Sequence, residues 1–253
     1  MNFYCVNITS QSGIVTTLYY HDVIMINFMT AEGTVANQFV KQSHELGHLL
    51  YWHKHGSVSI QVRQDKTLRW LLINDTLQSV VERNHPENLL FPHLQQLARL
   101  WDLYSPPNKV LELGLGAGAI RDYLHTTYPD CDVLSVDNNP DIIRCYKRYF
   151  SGDHTCAVAC MDIDDILKNN KQYDWIILDL FSELDAPVFL FQHQFYQQLR
   201  ACLRPGGKLF INFLAEHESQ LKQVTHLLIT NFGKKPHIEQ VPLYANHIIM
   251  VSR

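Results

Sequence analysis

Nine residues, Val110-Leu111-Glu112-Leu113-Gly114-Leu115-Gly116-Ala117-Gly118, constrain this chain more than any other stretch. An apolar run of strand length meets three alternating glycines, and a helix-forming segment follows. Glycine lets the backbone turn sharply and admits a ligand close to the main chain. The helix N-terminus beyond it favours a polar or anionic group. The spacing is G-x-G-x-G rather than the G-x-G-x-x-G of dinucleotide binders. The turn alone therefore names no ligand.

What surrounds the turn fixes the fold class. Short apolar runs at Lys109–Leu113, Asp132–Val136, Asp174–Leu178 and Lys208–Phe213 are expected to be buried strands. Helix-like stretches near 118–127, 139–149, 163–170 and 188–203 separate them. Such alternation predicts an α/β fold with a parallel sheet and helices on both faces. Ile238–Val241, stopped by Pro242, and Ala245–Val251 read as a terminal hairpin pair. Upstream, Ser105-Pro106-Pro107 marks a linker, because each proline holds its predecessor extended. Before it, residues 13–27 and 57–73 mix β-branched and aromatic residues as in a small antiparallel sheet, and Leu89–Leu103 has helical apolar spacing. The division expected is a β-rich region with a connecting helix over 1–104 and a Rossmann-like domain over 105–253.

Composition excludes several classes of function. The chain has 253 residues, 46% of them hydrophobic and 18% charged. It can bury a core without disulfides or metal. A net charge of −4, with no Lys/Arg run longer than two, argues against nucleic acid as partner. No basic-then-apolar leader and no 18-residue apolar run is present, so neither export nor a membrane span is expected. Six cysteines without a C-x-x-C pair fit reduced thiols in a cytoplasmic protein.

The acidic residues sharpen the ligand. Asp137 ends the second strand of the alternating region, nineteen residues after Gly118, where a carboxylate can accept hydrogen bonds from ribose hydroxyls. Asp162, with Ile163 beside it, follows a further apolar patch and is placed to receive a base amino group. Asp179 ends the strongest strand. Each alone would serve as a helix cap or turn former. Together, at the C-terminal ends of parallel strands, they converge on one cleft and point to a nucleoside-type ligand.

These segments resemble the class I S-adenosylmethionine-dependent methyltransferase fold and, within it, the spermidine synthase group. VLELGLGAG resembles the first methyltransferase motif. The wider likeness covers roughly residues 56–253 and includes LLINDTLQS, VDNNP, CMDIDDIL, YDWIILDLFSELDAP and FYQQLRACLRPGGKLFIN. It implies a seven-stranded domain whose donor is S-adenosylmethionine or decarboxylated S-adenosylmethionine, with no metal. By resemblance, Gln78 and Asp137 fall to the nucleoside sugar and Asp162 to the adenine, and Asn138 is a further donor-binding residue. Asp179 takes the place of the carboxylate that deprotonates the attacking amine. Gly114, Gly116, Ala117 and Gly118 form the turn beneath the donor, and Glu112 is the acidic candidate for the donor's ammonium. The resemblance also allows pairing into a homodimer through the N-terminal strands.

Three departures fall on the acceptor side. Ala117 stands where the family carries aspartate, no tyrosine occurs between Asn84 and Leu94, where Phe91-Pro92-His93 lies, and the second acid of the D-x-x-D-P segment is absent. The expectation is therefore a transferase with an unidentified, amine-type acceptor. Alternatives are an active polyamine aminopropyltransferase and a catalytically silent nucleoside-binding module. Without an acid at position 117, intact S-adenosylmethionine is expected to bind at least as well as the decarboxylated form.

His44-Glu45-Leu46-Gly47-His48 matches the H-E-x-x-H pattern of zinc hydrolases, whose histidines share one helical face. The small N-terminal region leaves no room for a second substrate-bearing lobe, and three protein ligands are needed. A helix face or strand connection is the plainer expectation.

Overall fold

The computed structural model describes residues 28–151, 157–169, 171–180 and 187–253, together with a two-residue strand pair, β1 (Thr9–Ser10) and β2 (Gly13–Ile14). The strand expectation for 13–27 otherwise lies outside the described residues. A short helix, α1 (Asn37–Gln42), leads into an antiparallel sheet of β3 (His48–His55), β4 (Val58–Gln64), β5 (Leu68–Ile73) and β6 (Thr76–Glu82), in that order. The 57–73 segment is thus two strands. Asp65 divides them, its carboxylate accepting from the backbone N–H of Thr67 at 2.7 Å and of Leu68 at 2.6 Å.

Period-two alternation decides which way this sheet faces. Leu68, Trp70 and Leu72 of β5 bury against Phe39 of α1, with Trp70 donating to the Ser43 carbonyl at 2.9 Å. Leu71, on the opposite face, joins Ile60, Val62 and Val81 in the core shared with the second sheet. The β5–β6 hairpin turns on Asn74 and Asp75, both with positive φ (45° and 63°), the geometry that twists two strands together.

The helix α2 (Pro92–Trp101) follows, then the second sheet. Its strands are β7 (Lys109–Leu113), β8 (Asp132–Asp137), β9 (Val158–Cys160), β10 (Tyr173–Leu178), β11 (Leu203–Leu214), β12 (His237–Gln240) and β13 (Asn246–Ser252). The order is β12-β13-β11-β10-β7-β8-β9. Strands β7 to β11 run parallel, and the terminal hairpin inserts β13 antiparallel to β11. The parallel strands are almost continuously apolar because both faces are covered. Helices α2, α3 (Ala119–Thr127) and α4 (Pro140–Cys145) pack on one face; α5 (Ile163–Leu167), α6 (His193–Cys202) and α7 (Glu218–Phe232) pack on the other.

Three expected helices are shorter than their sequence pattern. The 139–149 stretch is α4 followed by a π-helical turn, Tyr146–Phe150. The 163–170 stretch ends at Leu167, and 188–203 divides into a 3-10 turn, Val188–Phe191, and α6. The Leu203–Leu214 strand also starts earlier than expected. It contains the Pro205-Gly206-Gly207 excursion, across which register with β10 jumps from Tyr173–Leu203 to Trp175–Lys208.

The H-E-x-x-H segment is not helical. His44 and Glu45 lie in the turn after α1, and His48 opens β3. The two histidines therefore do not share a helical face. Among the described residues no group of three His, Cys, Asp or Glu side chains is arranged to hold a metal ion, and no helix is long and apolar enough to cross a membrane.

Candidate functional site

Parallel register brings the glycine turn and two of the acids to one edge. Leu113 pairs with Val136 on one side and Leu178 on the other, so Gly114, Asp137 and Asp179 leave their strands side by side. Gly114 donates its N–H to the Val136 carbonyl, and Asp179 donates its own to Leu113. The turn requires glycine where it does so. Gly114 has φ 99°, and a Cβ there would run into the Asp179 backbone carbonyl. Gly118, at φ 84°, caps α3 and lies against the Tyr146 ring.

Above this edge lies a cavity of about 700 Å³, roofed by the N-terminal sheet. Such a volume falls within the range that encloses a small-molecule ligand. Of the residues singled out from sequence, Glu112, Gly114, Gly116, Asp137 and Asn138 line it. So do Asp162, Ile163 and Asp179, and Gln78 reaches it from β6. Ala117 and Gly118 do not line it; Ala117 is fully buried in the core beneath the turn.

The polar groups divide the cavity into two ends. Toward β8 and β9, Asp137 accepts from the backbone N–H of Leu115 at 3.2 Å and of Asn139 at 2.9 Å. Burial pushes its carboxyl above the ordinary value, while the N–H groups of Asn139, Leu115 and Gly116 oppose that shift. Asp162 caps α5, accepting from the Asp164 N–H at 2.9 Å, and remains exposed at the rim. Both acids hold backbone turns and face the cavity.

Glu112 forms the floor. It is fully buried, and burial pushes its carboxyl up to about 8; the Ser135 hydrogen bond and the nearby Arg121 guanidinium oppose that shift. Ser135 lies opposite it in register and donates to the carboxyl. The buried Arg121 in turn donates to the Ser135 oxygen at 2.9 Å. This polar chain runs directly under the glycine turn.

The other end surrounds Asp179 with residues the sequence reading did not assign. Asp179 accepts from the Asn212 side-chain amide at 2.7 Å, and the Asn212 oxygen accepts from Asn246 at 2.9 Å. His93, the second residue of α2, lines the same end with Tyr244. Its ring stacks on Phe91, with centroids 5.3 Å apart and planes at 20°. Burial pulls the imidazole below its ordinary value, and the Asp179 carboxylate pulls it back up. Asn212 ends an apolar strand as Asp179 does, a position that could have drawn notice. Nothing near Asn246 or Tyr244 in the sequence signals a site.

With this geometry in place, known proteins can be compared. Residues 110–207 match the family described as a methyltransferase domain. The polyamine aminopropyltransferase of Chromobacterium violaceum is 24% identical over 161 residues, which make up 61% of this chain and 61% of that one. The match therefore spans less than two thirds of that relative. A probable spermidine synthase from Corynebacterium glutamicum superposes with a TM-score of 0.70 at 19% identity, covering 82% of this chain and 80% of the other. The fold is spermidine-synthase-like. A spermidine synthase solved with the transition-state analogue AdoDATO superposes at 0.62, with 16% identity, over 81% and 73% of the two chains. Of the three departures read in the sequence, Phe91-Pro92-His93 lines the cavity and Ala117 lies in the core, while residues 181–186 fall outside the described residues.

Proposed function

We propose that this chain is a transferase that takes its group from S-adenosylmethionine, or from decarboxylated S-adenosylmethionine, and passes it to an amine. One observation carries the reading: Asp137 and Asp179 flank the glycine turn at the ends of β8 and β10 and face one cavity. The ribose would lie against Asp137 and Gln78, and the adenine against Asp162 and Ile163. The donor's sulfonium supplies an electrophilic carbon when bound. Asp179, with one oxygen tied to Asn212, offers the other to the acceptor's nitrogen. Glu112 holds its proton near neutral pH, so it presents no negative charge to a donor that carries a carboxylate. That protonation supports the intact donor over the decarboxylated one.

Calorimetric titration tests the reading. Methylthioadenosine should bind the parent, and Asp137→Ala should weaken it by roughly 1.5–3 kcal/mol, the scale of hydrogen bonds to a charged group. Equal affinity would remove Asp137 from the ribose site. Parallel titrations should show intact S-adenosylmethionine binding at least as tightly as the decarboxylated form. A tenfold preference for the latter would restore the aminopropyltransferase reading, and binding without transfer to any amine would leave a silent nucleoside-binding module.

A further inference from the structure

Two hydrogen-bonded links frame the Asp179 end of the cavity. Asn212 donates to the Asp179 carboxylate at 2.7 Å and accepts from Asn246 at 2.9 Å. The Tyr244 hydroxyl donates to the Asn37 side-chain oxygen at 3.3 Å, which ties the loop between β12 and β13 to α1. The cavity-lining side chains beside these links are apolar. Leu180 follows Asp179 directly, and Leu214 stands two residues beyond Asn212 on the same face of β11. Val40 shares the Asn37 face of α1. Phe189 and Phe213 continue the lining, each held by an edge-on ring, Phe195 at 4.9 Å and Phe191 at 6.4 Å. The apolar surface runs on to solvent: Val40 is 37% exposed, Leu214 42%, and Leu243, next to Tyr244, fully. Large apolar side chains gathered at the mouth of a cleft mark a place for an apolar ligand.

Negative charge is scarce there. Among the described residues of this end, the cavity-lining carboxylates are Asp179 and Glu216, and Glu216 lies exposed past the end of β11. Asn37, Asn212 and Asn246 are neutral, and each is already engaged in a link. One carboxylate anchored by an amide holds one ammonium. The second ammonium of a diamine would meet the apolar lining without a partner, and an unpaired charge there is far less favourable than an alkyl or aryl group. We propose that the acceptor is a monoamine, a single primary amino group on an alkyl or aryl body. Its nitrogen lies at Asp179 and its body against Leu180, Phe189, Phe213, Leu214 and Val40. This assignment rests on the transferase reading above and narrows its acceptor. In the step, the ammonium gives one proton to Asp179, which passes it to water. The freed lone pair forms the new bond to the carbon on sulfur, and the carbon–sulfur electron pair returns to sulfur. The sulfonium becomes a neutral thioether, and the amine leaves carrying the transferred group.

Hexylamine and cadaverine test the proposal directly, because they differ only in a terminal methyl against a terminal amino group. Each, together with phenethylamine, is offered to the parent with each donor, and release of the thioether nucleoside is measured. The kcat/KM for hexylamine and for phenethylamine should exceed that for cadaverine by at least about tenfold. Leu214→Asp places a carboxylate in the apolar wall and should lower that ratio by about threefold or more. Val40→Glu makes the same test from α1, and unchanged methylthioadenosine affinity shows that the donor site of each variant is intact. Transfer by the parent with cadaverine equal or preferred would overturn this assignment alone. So would a ratio that stays at the parent value in both variants while methylthioadenosine still binds. A parent that transfers to none of the amines would overturn the transferase reading and this one with it.

Discussion

Glu112 shows how one residue can serve two environments. Its strand position places it in register between Ile177 and Ser135, inside the sheet, yet it borders the cavity. Burial stabilises the neutral acid, so the folded protein keeps the proton up to about pH 8, whereas the unfolded chain releases it near 4.5. Between those values the folded state binds more protons, and stability falls as pH rises. The slope is at most about 1.4 kcal/mol per pH unit for one group. Asp122, pushed by burial up to about 7, contributes in the same direction over a lower window. Urea unfolding at pH 5, 6.5 and 8 should show this decline, and Glu112→Gln should flatten the part above pH 7. An identical profile in the variant would show that Glu112 is already ionised in the fold. The carboxylate's presence was legible in VLELGLGAG; its protonation was not, because it follows from burial between β8 and β10, which only the assembled sheet supplies.

At the scale of elements, the glycine turn is the joint between chemistry and sheet. Gly114 crosses the ends of β7, β8 and β10, where its N–H pairs with Val136 and its missing side chain leaves room for the Asp179 carbonyl. Gly114→Ala would combine a disfavoured φ with a backbone clash, so it should cost about 2–4 kcal/mol in chemical unfolding. It should also weaken methylthioadenosine, since relief of the clash displaces Asp179. A variant as stable as the parent would contradict the geometry of the turn. The strand and helix pattern around the turn was readable because the buried parallel strands are predominantly apolar. Strand β3 was hidden for the opposite reason. Leu49, Leu50 and Trp52 remain exposed along its edge, and His48 and His53 interrupt the pattern, so the stretch looked like a metal motif.

Over the whole molecule, the cavity exists because two sheets meet. Gln78 and Ser79 of β6 come from one, the glycine turn and the acids from the other, and α2 supplies His93 between them. A ligand there touches both sheets and should stabilise the chain as a unit. At a hundred times its dissociation constant, methylthioadenosine adds about 2.7 kcal/mol. For a chain of this size that corresponds to a Tm rise of roughly 5–11 °C. A rise confined to one of two separate transitions would show that the sheets unfold independently. By itself the sequence determined the Rossmann-like alternation, the glycine turn and the acids at the ends of successive strands, because these follow from local periodicity and short-range backbone demands. Only the tertiary structure decided that Ala117 packs into the core, that Asn212 and Asn246 orient Asp179, and that His93 lines the same cavity as Asp179. Those relations join residues up to 86 positions apart, and chain-distant side chains meet only once the sheet order and helix packing are fixed.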